Sequence, residues 1–301
     1  VEPKLRAFGF QFPVVSCGAT YAPKKVWGYA KVDPDGSANF KVPAQKPIYF
    51  LPLDEKGMAV QRMRSFTHLM PGEVQSCVGC HEERNGTAIV HTPIPTALAH
   101  EVQAPKVPEW GLQGFGYLSI VQPVLDKHCV KCHDALTPPK GIDLTGDLTD
   151  YFCVSYETLA RGHKVELRGQ KEVSYDSPFT SWIPTYNGHE KNIWETAPKR
   201  WGSPRSLLAD VILNGHPENK KKPRFTLDAD ERQRILTWID LNVPYYGTAQ
   251  TAWPTRQGCR RQYPEKLDVT LAEVANRRFV SCHSDGVIPR ARRVRVTHPH
   301  L

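Results

Sequence analysis

The 301-residue sequence predicts an α+β fold, a small antiparallel β unit followed by a mainly helical, loop-rich part. Three observations carry this. Residues 24–65 alternate apolar and polar side chains between turn signals, residues 92–110 hold four prolines, and from residue 116 onward the apolar residues recur at helical spacing.

The β unit reads as "VWGYAKV", "SANFKV", "IYFLPL" and "MAVQRM", separated by "DPDG", "PAQKP" and "DEKG". Turn-formers every eight to twelve residues between short alternating runs are the mark of antiparallel strands. It spans residues 1–91, and the proline-rich stretch 92–115 reads as a linker. In "GYLSIVQPVLDKHCVKCH" (116–133), Leu118, Val121, Val124 and Leu125 predict one helix. "SPRSLLADVILNGHPE" predicts a second, with Ser203 as N-cap and Gly215 as C-cap. "TLDADERQRILTWIDLNVPYYG" predicts a third, with an acidic first turn, an apolar face of Ile235, Leu236, Trp238 and Ile239, and a stop at Pro244. These form a domain over 116–250, interrupted by a loop-rich insert from Ser174 to Gly202. Residues 251–301 add a C-terminal segment whose helix "YPEKLDVTLAEVANRRF" runs into Cys282 and His283.

Apolar residues make up 40% and charged residues 23% of the chain, ordinary values for a water-soluble fold, and no apolar run reaches the length of a membrane span. The net charge of +8 does not argue for nucleic acid, since the longest basic cluster, "NKKKPR", is short and no basic arm or aromatic platform accompanies it.

The chemistry lies in the cysteines. "SCVGCHE" and "HCVKCHD" each contain a complete C-x-x-C-H string, Cys77, Cys80 and His81 in the first and Cys129, Cys132 and His133 in the second. With 8 cysteines and 12 histidines, about 0.01 such strings are expected by chance. The spacing attaches haem c: each thiol forms a thioether with one vinyl group, and the adjoining histidine lies under the iron. It suits the start of a helix. The competing reading is a four-cysteine zinc site, which leaves His81 and His133 without a role. The helical domain is therefore cytochrome c-like. Haem propionates also account for part of the basic excess. Covalent haem is installed outside the cytoplasmic membrane, so the expected location is periplasmic or extracellular. No leader is visible, and the abrupt ends favour a chain beginning within a longer protein.

All three methionines, Met58, Met63 and Met70, precede the first motif. The second domain thus has no methionine for the far side of its iron, and His163, His189 and His216 remain, which predicts bis-His ligation. His216 directly follows a helix, where its ring is held firmly. For the first iron the candidates are His68, His91 and His100. A third, degenerate site reads "FVSCH", with Phe279 in place of the first cysteine. Cys282 and His283 still allow haem held by a single thioether, with His298 or His300 downstream as distal ligand. Cys17, Cys153 and Cys259 are left over, and an oxidising compartment predicts one disulfide among them.

"GMAVQRMRSFTHLMPGEVQSCVGCHE", followed in order by "IVQPVLDKHCVKCHD", "GIDLTG", "ILNGHPE" and "WIDLNVPYYG", resembles the middle and C-terminal haem domains of the hydrazine synthase alpha subunit family. The resemblance spans about residues 25–250, and in related multihaem proteins it continues through "LAEVANRRFVSCHSDG". It implies that His133 and His216 are the two ligands of the second haem. In that family the histidine of the first motif binds zinc and a tyrosine four residues later ligates iron. The matching position here is Asn85, and the propeller that completes the zinc site has no counterpart in these 301 residues. His81 is thus expected to ligate its haem in the ordinary way.

Together these features predict an extracytoplasmic multihaem c-type cytochrome that passes electrons to redox partner proteins, without nucleic acid and without a transmembrane span. The alternatives are a haem enzyme with one open iron, acting on small nitrogen compounds or peroxide, and an assembly subunit that joins other haem subunits or copies of itself into a wire.

Overall fold

The structure is a computed structural model that describes residues 1–2, 13–17, 20, 22–63, 65–77, 94–161, 182–183, 197–216 and 224–262. The chain forms two compact units, Val1–Arg261 and Gln262–Leu301. Of the second unit only Gln262 is described, so the expected helix there and the Cys282–His283 site lie outside the described residues.

Residues 25–67 fold as extended segments joined by isolated bridges, and among the described residues no continuous strand forms. Ile48 and Thr67 exchange both backbone hydrogen bonds at 2.8 Å. The expected turns are present: Gly36 N–H donates to Asp33 O at 2.8 Å and Gly57 N–H to Asp54 O at 2.9 Å. The stretch expected as a linker is part of this layer. Lys106 pairs with Tyr29, Gln103 with Phe40 and Gly114 with Lys25. Trp110 and Phe115 from the same stretch are buried. Proline cannot donate to a ladder, and Pro105 and Pro108 interrupt pairing on both sides of Lys106.

Among the described residues five α-helices follow: α1 (Tyr117–Ile120), α2 (Gln122–His128), α3 (Val154–Tyr156), α4 (Leu207–Asn214) and α5 (Ala229–Asp240). The single helix expected across 117–128 breaks at Val121. Pro123 has no N–H to give Ser119, and its ring would clash with that carbonyl, so the chain restarts with proline in the first turn of α2. The restart turns the inward face to Tyr117, Ile120, Val121, Val124 and Leu125, while Leu118 points outward.

Helix α4 is capped by Ser206, not Ser203. Ser206 Oγ accepts from Ala209 N–H, and the helix ends at Gly215 with φ +96°, a left-handed conformation that favours glycine. Ser203 is occupied elsewhere, as described below. Helix α5 opens with a complete capping box, Asp228 accepting from Glu231 N–H and Glu231 from Asp228 N–H. Ile235, Leu236, Trp238 and Ile239 are all buried on one face.

The core is where α1, α3 and α5 meet the 243–246 segment, and it is largely aromatic. Tyr117 lies 4.9 Å from Trp238 and 5.1 Å from Tyr156, and Tyr156 lies 4.8 Å from Tyr245. Every buried hydroxyl in this group has a partner. Tyr117 Oη donates to Ser155 Oγ at 3.0 Å, Ser155 Oγ to Gln122 Oε1 at 2.5 Å, and Tyr156 Oη to Val243 O at 2.6 Å. This network fixes α1 and α2 to α3, and α3 to the 243–246 segment, and with them the segment that carries the second C-x-x-C-H.

No disulfide joins the described cysteines. Cys153 and Cys259 are thiols that each make a 3.3 Å contact to a polar atom close in sequence, Ser155 Oγ and Pro254 O. Among the described residues no helix is long and apolar enough to cross a membrane.

Candidate haem site

The second motif lies on the turn that leaves α2, not at the start of a helix. Cys129 and Val130 N–H both donate to Leu125 O, and Cys132 and His133 N–H both donate to Cys129 O. The position of α2 is thus passed through consecutive hydrogen bonds to His133. Cys132 is exposed and Cys129 is half-buried. Burial, reinforced by the neighbouring Cys132 sulfur, pushes the Cys129 thiol up to about 11. The thiol is therefore held neutral, as an S–H group.

His133 Nδ1 lies 2.7 Å from Ile142 O. A carbonyl only accepts, so Nδ1 carries the proton and Nε2 keeps its lone pair free for a metal. Leu144 N–H closes the same loop on His133 O at 3.0 Å.

His216, two residues past the end of α4, faces this histidine. The ring centroids are 6.3 Å apart, with planes inclined by 32°. Two imidazoles on opposite sides of one metal, each at a metal–nitrogen bond of about 2.0 Å and with the ring centre about 1.15 Å beyond the nitrogen, stand about 6.3 Å apart. The donor set fits haem iron: two imidazoles, one with its Nδ1 proton fixed on a carbonyl, beside two thiols at the attachment spacing.

The zinc alternative finds no such support. Among the described residues no group of three or more His, Cys, Asp or Glu side chains gathers to hold a metal ion, so Cys77, Cys129 and Cys132 do not converge.

Of the first motif, Cys77 is described and exposed, and Cys80 and His81 lie outside the described residues. His68 and His100 are exposed. His91, His163, His189, His283, His298 and His300 also lie outside them, as do Asn85, Phe279 and Cys282.

Two acidic residues of α5, Glu231 and Asp240, hold the segments that lead to the site. Glu231 Oε1 accepts from Lys127 Nζ at 2.7 Å and lies 3.0 Å from His128 Nε2. These are the two residues before Cys129. Burial alone would raise the Glu231 carboxyl, but Lys127, the Asp228 N–H and His128 together bring it down to about 2. At the other end of α5, Asp240 is buried. It accepts from Ser203 N–H (2.7 Å), Ser203 Oγ–H (2.8 Å) and Ala59 N–H (2.9 Å). Gly202 precedes this contact with φ +68°, and a Cβ there would meet Asp240 Oδ1 at 2.6 Å.

Residues 11–82, ending just after the first C-x-x-C-H, match the family described as the hydrazine synthase alpha subunit middle domain. Hydrazine synthase subunit alpha of Kuenenia stuttgartiensis is 24% identical over a 292-residue alignment covering 76% of this chain and 34% of that protein. The chain is related to the hydrazine synthase alpha subunit. It spans about a third of the length of the hydrazine synthase relative. The solved Kuenenia stuttgartiensis hydrazine synthase matches with a TM-score of 0.49 at 20% identity, over 73% of this chain and 33% of that one.

Proposed function

We propose that this hydrazine synthase-related chain is an extracytoplasmic c-type cytochrome that relays electrons through haems closed on both faces by histidine. The observation that supports it best is the His133–His216 pair, 6.3 Å apart, with His133 held through Nδ1 by Ile142. Bound haem supplies one-electron chemistry at its iron. The chain's own residues do the rest. Cys129 and Cys132 anchor the group on the turn after α2. His133 and His216 would both ligate the iron, which would leave no place for substrate and keep the ligand set constant between oxidation states. The hydrogen bond from Nδ1–H to a carbonyl makes His133 a stronger donor, favouring the ferric state and a low potential. Cys77, Cys80 and His81 form the first site in this reading, and Cys282 and His283 a third, held by one sulfur. Periplasmic or extracellular location follows from covalent haem. The relative is a subunit of a larger enzyme by name, which makes other haem subunits the natural redox partners.

A second reading rests on the family match, which covers the first motif and not the second. In it the first haem keeps an open position and works on small nitrogen compounds, as the name hydrazine synthase says of the relative. Carbon monoxide or nitric oxide binding by the unaltered, reduced chain favours this reading, and its absence favours the relay.

The test of haem itself is a pyridine haemochrome spectrum with haem counted against protein. Three haems, one with the red-shifted band of an unreacted vinyl, are expected if Cys282 carries one, and two ordinary c-type haems if it does not. A chain without haem overturns both readings.

A further inference from the structure

Helix α5 carries neither ligand of the second site, yet it holds the segments that carry both. Near its start Glu231 grips Lys127 and His128, from which the hydrogen-bonded turn leads to His133. At its end Asp240 grips Ser203, from which Ser206 and α4 lead to His216. The nine-residue step from Glu231 to Asp240 spans about 13.5 Å of helix.

The two oxygens of Glu231 divide their work. Oε2 accepts from Asp228 N–H at 3.0 Å, which completes the capping box and concerns α5 alone. Oε1 has no part in the cap and serves Lys127 and His128 only. A glutamate needed only to begin a helix would leave that oxygen to water. Here the carboxylate is buried, and His128 beside it is partly buried, its side chain 13% exposed.

We propose that Glu231 is a positioning residue for the second haem: by clamping Lys127 and His128 to α5 it fixes His133 at the separation from His216 that both axial bonds require. The inference rests on the bis-His reading above. Loosening the clamp would let α2 and its turn shift by fractions of an ångström relative to His216, so that one of the two histidines would leave the iron.

The test uses the full haem-loaded chain and breaks the clamp from each side. Glu231→Ala removes it from α5 together with the cap. The double variant Lys127→Ala/His128→Ala removes it from α2 and leaves the cap whole. The readout is the fraction of second-site haem that binds carbon monoxide when reduced, with the low-spin ferric spectrum as a second signature. Both variants are expected to raise that fraction about tenfold over the unaltered chain, as loss of hydrogen bonds to a charged group would do. The triple variant is expected to add nothing further, since all three residues serve one clamp. If Glu231→Ala lowers the melting temperature but haem in every variant stays low-spin and closed to carbon monoxide, Glu231 is a helix cap and the inference is overturned. If the unaltered chain itself lacks a low-spin second haem, the bis-His reading fails first, and the inference with it.

Discussion

Asp240 offers the most quantitative test of how the site is held. Its side chain is buried at the end of α5 and receives three hydrogen bonds, two of them from the backbone N–H groups of Ser203 and Ala59. Both donors are themselves buried, Ser203 at 1% and Ala59 at 3% exposure. Asp240→Ala strands both, while the Ser203 hydroxyl can rotate to another acceptor. At about 1–3 kcal/mol for each buried donor left unmade, the cost is about 3–4 kcal/mol. That is a large part of the 5–15 kcal/mol that typically separates folded from unfolded chains. The cost also depends on pH. Burial raises the Asp240 carboxyl from its ordinary 3.8 to about 6, against the pull of its hydrogen bonds and of Arg62. A raised carboxyl binds its proton more tightly in the folded state, so its contribution is full below the unfolded value and declines as pH rises through about 6. Between about pH 4.5 and pH 7 the decline is about 2 kcal/mol. Urea unfolding followed by tryptophan fluorescence at the two pH values measures this, since Trp238 is buried two residues away. The stability gap between the unaltered chain and Asp240→Ala is expected to be wider at the lower pH by that amount. A cost below about 1 kcal/mol, or a gap that widens toward neutral pH, refutes the reasoning.

Glu231 behaves in the opposite sense. Its carboxyl is lowered from 4.5 to about 2, so its stabilisation is present above the unfolded value and is lost as pH falls through the acid range. Acid unfolding followed by far-ultraviolet circular dichroism is expected to begin at higher pH in Lys127→Ala, which removes one of the groups holding that carboxyl down. At the start of α4, Ser206→Ala is expected to lower stability by about 1 kcal/mol through loss of the N-cap, read from thermal melts. Ser203→Ala at the nearby serine is expected to act instead through Asp240, so that its effect disappears in an Asp240→Ala background.

What could be read from the chain and what could not separate along the line between local and distant physics. The acidic cap and apolar face of α5, the Gly215 stop and the Asp-x-x-Gly turns are local patterns, and these residues adopt the local geometry they encode. The break at Val121 was also written locally, in Pro123, but the apolar spacing runs straight through it and outweighs one proline in a periodicity reading. Ser203 could not be told from Ser206 by pattern, because both precede helical sequence and only the distant Asp240 decides which is free to cap. The proline-rich stretch reads as a linker for the same reason: its bridges to Lys25, Tyr29 and Phe40 depend on partners sixty or more residues away. In the site, the absence of methionine beyond residue 70 reduces the far ligand to three histidines, but the 6.3 Å spacing of His133 and His216 belongs to the packed fold. Glu231 was visible as the fourth residue of an Asp-x-x-Glu box. Its grip on the residues before Cys129 was not, since they lie more than a hundred positions upstream.

The central claim is that His133 and His216 close both faces of one haem, and the most direct test is His216→Ala in the full haem-loaded chain. The second haem is expected to stay attached, since Cys129, Cys132 and His133 are untouched. It is expected to lose its low-spin ferric signature in electron paramagnetic resonance and, once reduced, to bind carbon monoxide at one haem equivalent more than the unaltered chain. An unchanged low-spin spectrum with no added carbon monoxide binding would mean that another residue ligates this iron, and would contradict the account.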